Sequence, residues 1–333
     1  TFNHNEAILY QWVKENEPDL YERIKEKVKE GSWKIMGGWY LQPDCNMPSG
    51  ESIIRNIAEG RRFFMEEFGK RPTTAINFDS FGHSQGLVQI LNQAGFDSYV
   101  VCRPAKDNFD FTSQNYRWKG FNGSEVIVHR SDENYNSVHG HAAEELEKFL
   151  NETREEEVSL FLWGVGDHGG GASAQDLKDL EKMLQERKEE YCMIHSDVES
   201  FFQELRESGE ELPLVERGLN PVAEGCYTSQ IRVKQKHRLL ENEIYSGEKM
   251  FSAAPFFMEG IPWPRLFTRR LRIFFLPSST MPCRLRNAAC GGGYPSASGS
   301  WAGDYVQGKN EGGDCADSRR GSHRGRHLLC LYL

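Results

Sequence analysis

Residues 8–30 carry apolar side chains at helical spacing against a background of Glu and Lys, and Gly31 ends the run, so one long amphipathic helix is predicted there. Residues 33–36 read as a short strand running into Gly37, Gly38, Trp39 and Tyr40. A long polar loop with two prolines follows over 42–51, then a helix over 52–68. Residues 72–78 are short, apolar and β-prone, and 85–94 return to helical spacing. A third strand and its loop fall in 95–104. Residues 116–120 and 124–130 read as two strands around Asn122-Gly123, a hairpin signal. Further on come a helix over 141–155, a continuous apolar strand over 158–163 buried on both faces, a helix over 173–189, a strand over 191–194 and a helix over 197–208. Strand, loop and helix recur at intervals of roughly 35–60 residues, an alternation that predicts a parallel sheet or a β/α barrel.

The pattern changes after Leu212. Residues 229–253 form one long helical run with no strand behind it, as in the first helix of a separate helical domain. Beyond about Arg265, Lys and Glu almost vanish while Arg, Gly, Ser and Cys rise, and no period survives past Leu276. A basic, disordered tail fits that composition. Translation in a shifted reading frame fits better, because the change falls inside what should be a folded domain. The N-terminus lacks Met and opens almost at once into a helix, which reads as a chain cut into. The formal net charge of −9 argues against nucleic acid as a main partner. No stretch is long and apolar enough to span a membrane, and no signal peptide is visible. Eight cysteines occur without a CxxC pair, and Cys45, Cys102, Cys192 and Cys226 are scattered, as expected of reduced thiols in a cytoplasmic protein.

Candidate chemistry gathers at strand ends. Asp79 sits where the strand over 72–78 ends and a helix is about to begin, with His83 four residues on. In a parallel α/β sheet or barrel that edge is where ligands bind. An Asp or Ser at this point also serves as a helix cap, and caps are common. Asp44 with Asn46 follows the first visible strand, and Asp167-His168 follows the buried strand over 158–163, so a parallel sheet places all three on one rim. Two carboxylates facing across a pocket suit glycoside hydrolysis, one attacking or activating water and the other protonating the leaving oxygen. The glycines at 169–171 allow close backbone approach to a ligand. A phosphate-binding turn would use them too, though the missing Lys and the adjacent His weaken that reading. Trp39 and Phe81 offer aromatic faces that suit a sugar, with core packing as the competing role.

The segments 37–52 (GGWYLQPDCNMPSGES), 77–84 (NFDSFGHS), 164–171 (GVGDHGGG) and 225–229 (GCYTS), in that order, resemble the α-mannosidases of glycoside hydrolase family 38 over roughly residues 5–260. The resemblance implies a seven-stranded β/α barrel, here without its first strand, leading into a helical bundle domain. It implies retaining hydrolysis of α-mannoside oligosaccharides at Zn2+ or another divalent cation. Asp79 matches the nucleophile, which in this family also ligates the metal, Phe81 an aromatic near the sugar, and Asp167 the expected place of the acid/base. Asp44 and Trp39 complete the expected substrate-binding set, and His168 is the best further metal ligand. The sequence departs from the family pattern in two places. The family's His-x-Asp metal motif follows a strand that would precede Thr1, and the one such triplet present, His195-Ser196-Asp197, reads better as a helix cap. Pro221 and Val222 stand where a ligand His is often found. Weak zinc binding and impaired turnover are therefore expected. The expected division is 1–212 catalytic barrel, 213–264 start of a helical domain, and 265–333 out-of-frame or disordered tail, with a homo-oligomer allowed for the full-length protein. The alternatives are a metal-dependent polysaccharide deacetylase and a non-catalytic sugar-binding barrel.

Overall fold

The computed structural model describes residues 1–105, 109–110, 113–131, 135–166, 170–220, 222–257 and 326–332. In chain order the elements are β1 (Phe2–His4), α1 (Ala7–Asn16), α2 (Pro18–Glu30), β2 (Trp33–Ile35), α3 (Gly50–Phe68), β3 (Thr74–Asn77), α4 (Gly86–Gln93) and β4 (Ser98–Val101). Next come β5 (Asn115–Lys119), β6 (Glu125–Arg130), α5 (Ala142–Glu152), β7 (Val158–Trp163), α6 (Ala174–Glu186), β8 (Cys192–His195) and α7 (Val198–Ser208). The chain continues through β9 (Leu214–Val215), α8 (Glu224–Thr228) and α9 (Ile231–Phe257), and the last strand is β10 (Arg326–Tyr332). Local chemistry sets many of these bounds. Ser49, Ser173 and Asp197 cap α3, α6 and α7 by accepting a backbone N–H from the first turn. Gly69 and Gly209, both in the left-handed region, close α3 and α7.

The strands form two five-stranded sheets, one ordered β2-β1-β10-β7 with β8 also on β10, the other β3-β4-β6-β5-β9. Every ladder is parallel except the β5–β6 hairpin, which turns at Asn122-Gly123 as its residues predict. One core cluster joins the sheets: Ile76 and Val100 from one, with Phe78 just after β3, pack with Val158, Leu160 and Leu162 of β7 and with Phe201 and Phe202 of α7. β7 is buried at every position, Ser159 included, as its largely apolar run predicts.

Several expectations change. The helix expected over 8–30 is two, because Pro18 cannot donate to the preceding turn and instead opens α2 at its first position. The α/β unit does not end at 212: β9 pairs with β5 through Arg117–Leu214 and Trp118–Val215. Of the tail expected over 265–333 to be out-of-frame or disordered, residues 326–332 are described, and there β10 lies inside a sheet. Finally, α9, expected to begin a helical domain, docks on α3. Arg55 makes two 2.6 Å bonds to Glu248, and Tyr245 bonds Ser49 and Ser52 at 3.0 and 2.6 Å.

Candidate active site

Asp79 follows the carboxyl end of β3, at the sheet edge where the strand pattern expected it. Its Oδ1 accepts from Arg103 Nε at 3.0 Å, and its side chain is 20 % exposed. Arg103 follows β4, the parallel neighbour of β3, so the two sheet neighbours deliver the pair. The same guanidinium lies over the Phe81 ring, 5.1 Å from its centroid. Asp79, Arg103 and Phe81 thus form one cluster, with the carboxylate held by a cation that an aromatic face supports.

The 42–49 loop is tied to this edge. Asn77 Nδ2 and Ser80 Oγ both donate to the Pro43 carbonyl at 2.8 Å. Asp44 comes next, and its Oδ1 accepts the N–H groups of Asn46 and Met47 at 2.8 and 2.9 Å, which makes its role here that of a turn former. Asn46 Nδ2 reaches Asn220 Oδ1 at 3.0 Å and the Tyr227 hydroxyl at 3.2 Å. Residues 219–220 also pair with the Asp79 loop: Leu219 and His83 exchange backbone bonds at 2.9 and 3.1 Å, and Asn220 Nδ2 donates to the His83 carbonyl. Gly82 permits that approach, since it sits at φ +105 and a Cβ there would meet Asn220 Oδ1 at 2.0 Å. The segments 37–52, 77–84 and 225–229 therefore converge.

His83 is buried, and its side chain bonds outside its own loop, to β4 and the segment that follows it. Its Nε2–H donates to the Arg103 carbonyl at 3.0 Å, so Nδ1 is left to accept from the Tyr99 hydroxyl at 2.9 Å. Burial draws its pKa down to about 4 against the backbone bond that raises it, and this neutral tautomer is the one the bonds require. Cys45 is equally enclosed, and burial pushes its thiol up to about 12, which makes it inert as a nucleophile.

Trp39 corrects the expected site. It is 0 % exposed, packs in the core and donates Nε1–H to the Ile76 carbonyl at 2.7 Å, so it has no face to offer a sugar. Asp197 caps α7 through Ser200 N at 2.9 Å and pairs with Lys34 at 3.4 Å, in line with the cap reading of His195-Ser196-Asp197. Asp167, His168 and Pro221 lie outside the described residues. Sequence reading missed Arg103, Asn220 and Tyr227. The available signal for Arg103 was its place at the end of the third strand, on the same rim as Asp79. Among the described residues, no group of three His, Cys, Asp or Glu side chains could hold a metal ion. A zinc shell therefore does not fit the described donors, and no chemical step is derived through one. Clefts of about 310 Å³ beside Tyr116 and Arg217, and about 400 Å³ beside Gln11 and Glu67, are not lined by Asp79.

The fold and site define an α/β domain with a polar cluster on the carboxyl edge of a largely parallel sheet. The family model for the glycosyl hydrolases family 38 N-terminal domain matches residues 1–217. Alpha-mannosidase G of Dictyostelium discoideum is 34% identical over 80% of this chain and 25% of its own length. Human Alpha-mannosidase 2C1 is 30% identical over 76% of this chain and 25% of its length. An alpha-mannosidase structure from Enterococcus faecalis covers 64% of this chain and 25% of its own at TM-score 0.55 and 20% identity, which supports the fold. The chain belongs to glycosyl hydrolase family 38. It spans about a quarter of the length of the curated relatives it matches.

Proposed function

We propose that this chain carries the catalytic barrel region of an α-mannosidase that hydrolyses α-mannosides with retention. Asp79 is the nucleophile. Its carboxylate attacks the anomeric carbon as the bond to the leaving oxygen breaks, giving a glycosyl ester that water then opens. Arg103 orients the carboxylate for that attack, and Phe81 flanks the sugar. Asp167 is the proposed acid that protonates the leaving oxygen and then the base that activates water. The observation that carries this reading is the Asp79–Arg103 pair at the carboxyl edge of β3, inside a chain that belongs to a glycoside hydrolase family. Closure of the two sheets into one barrel is part of the proposal, and the core shared between them supports it.

Turnover by this chain is proposed to be slow. The family resemblance implies a divalent metal, and the described residues offer Asp79, already paired with Arg103, without a companion set of donors. A cytoplasmic setting is also proposed, supported by the free thiols of Cys45, Cys102 and Cys226.

A 5-fluoro-mannosyl fluoride tests the role of Asp79, because an activated fluorosugar accumulates the glycosyl ester. Mass spectrometry is expected to find the ester on Asp79 and none on the Asp79→Asn chain. Labelling elsewhere, or none in the unaltered chain, would overturn the assignment.

A further inference from the structure

α9 lies beyond the residues 1–217 that the family model matches, yet it grips the loop that is tied to the Asp79 edge. Arg238 Nη2 donates to the Met47 carbonyl at 2.8 Å, while its Nη1 bonds Glu241, whose Oε1 accepts from Ser49 N at 2.8 Å. From Met47 the bonds continue into the turn, where Asp44 Oδ1 accepts the N–H groups of Met47 and Asn46 at 2.9 and 2.8 Å. One residue earlier, the Pro43 carbonyl accepts from Asn77 Nδ2 and Ser80 Oγ, each at 2.8 Å. Asn77 and Ser80 are buried and stand on either side of Asp79 in the chain. Hydrogen bonds and short covalent links therefore run from the Arg238 guanidinium to the backbone on both sides of the proposed nucleophile. The loop over 42–49 belongs to no helix or strand, so bonds of this kind set its shape.

We infer that α9 is a working part of the site and that Arg238 is a positioning residue for Asp79. It fixes the 43–47 turn, and the turn fixes the backbone that presents the carboxylate. The inference deepens the proposed hydrolysis and rests on it. Arg103 holds the carboxylate directly, whereas Arg238 acts on the chain that carries it. A nucleophile must meet the anomeric carbon within a narrow range of distance and angle, and a misplacement of about 1 Å costs up to about 100-fold in rate. Arg238 separates positioning from stability, because its side chain is 51% exposed and its loss takes little from the core.

The test follows ester formation on Asp79 by 5-fluoro-mannosyl fluoride in the full chain, by mass spectrometry over time and over a range of reagent concentrations. Arg238→Met is expected to lower the maximal labelling rate about tenfold, with the half-saturating concentration and the melting temperature unchanged. Arg232→Met removes the same charge from another exposed position on α9 and is expected to label at the unaltered rate. Ser80→Ala breaks the path at its other end, so the double variant with Arg238→Met should be no slower than the slower single variant. Equal rates in Arg238→Met and the unaltered chain would overturn the role of Arg238. A matching fall in Arg232→Met would reduce it to a charge effect, and single effects that multiply in the double variant would refute the shared path. If Arg238→Met melts early, Arg238→Lys decides: it keeps the stem and the charge, but its single ammonium does not serve Glu241 and Met47 together. Slower labelling is expected there, and the unaltered rate would overturn the inference. Absence of ester on Asp79 in the unaltered chain overturns the hydrolysis reading and this inference with it, whereas ester there with equal rates in the variants overturns this inference alone.

Discussion

Glu241 on α9 is the least exposed carboxylate holding the site loop in place, and its removal makes a quantitative test of how α9 docks. It is 0 % exposed. Its Oε1 accepts from Ser49 N at 2.8 Å and Ser52 Oγ at 2.5 Å, while His237 Nε2 lies 3.3 Å away and Arg238 Nη1 bonds the other oxygen. Burial pushes its pKa up, but the bonds from Ser52 and Ser49 and the nearby His237 outweigh that and hold it below the ordinary carboxylate value. Glu241→Ala removes two bonds to a buried charged acceptor. At about 1.5 kcal/mol each, the loss is about 3 kcal/mol. Arg238 is 51% exposed and adds little. At about 2–4 °C per kcal/mol for a domain of this size, the melting temperature falls by about 6–12 °C. Glu241→Gln keeps an acceptor oxygen and the shape, and should cost only about 1 kcal/mol. Thermal unfolding followed by circular dichroism reads both, and amide exchange at residues 49–53 localises the change. A loss below about 1 kcal/mol for the Ala variant, or equal losses for both, would refute the claim that this carboxylate anchors α9 to the start of α3.

Other outcomes follow from the same geometry. Trp39→Phe leaves the Ile76 carbonyl without its donor and is expected to lower stability by about 1–3 kcal/mol in urea unfolding; sugar affinity lowered without loss of stability would contradict its core role. Burial holds the pKa of His83 near 4, below the ordinary 6.5 of an unfolded chain, so the unfolded state takes up the proton first as pH falls. Its contribution is complete above pH 6.5 and shrinks by up to about 3 kcal/mol as pH drops through that window to 4. The depressed carboxylate of Glu241 adds a loss of the same sign at lower pH. A urea midpoint that stays flat between pH 7 and 4 would contradict the His83 assignment. Arg103→Met, by freeing the Asp79 carboxylate, should slow fluorosugar labelling of Asp79 while leaving the fold intact by circular dichroism; unchanged labelling would remove Arg103 from the site. Calorimetric titration with Zn2+ should show no tight one-to-one binding, and a submicromolar one-to-one isotherm would show that the chain completes a metal shell.

Much of the fold was present in local chemistry. The largely apolar run of β7 points to a strand covered on both faces. Asn122-Gly123 between two β-prone runs marks a hairpin without reference to the rest of the molecule. Asp79 could be placed at a sheet edge because a strand ended and a helix began around it, and the four ordered motifs carried the family resemblance. Pro18 was a local signal too, and helical periodicity running through it hid the break. Other outcomes depended on distance in the chain. Trp39 carries the same residue type whether it meets a sugar or a core, and only packing against Phe96 and the Ile76 carbonyl decided between them. Arg103 meets Asp79 because β3 and β4 pair in parallel, which brings residues 24 apart to one edge. β10 is seven residues of ordinary strand composition, and its place beside β1, β7 and β8, where a strand pairs its backbone groups, exists only once the sheet has assembled.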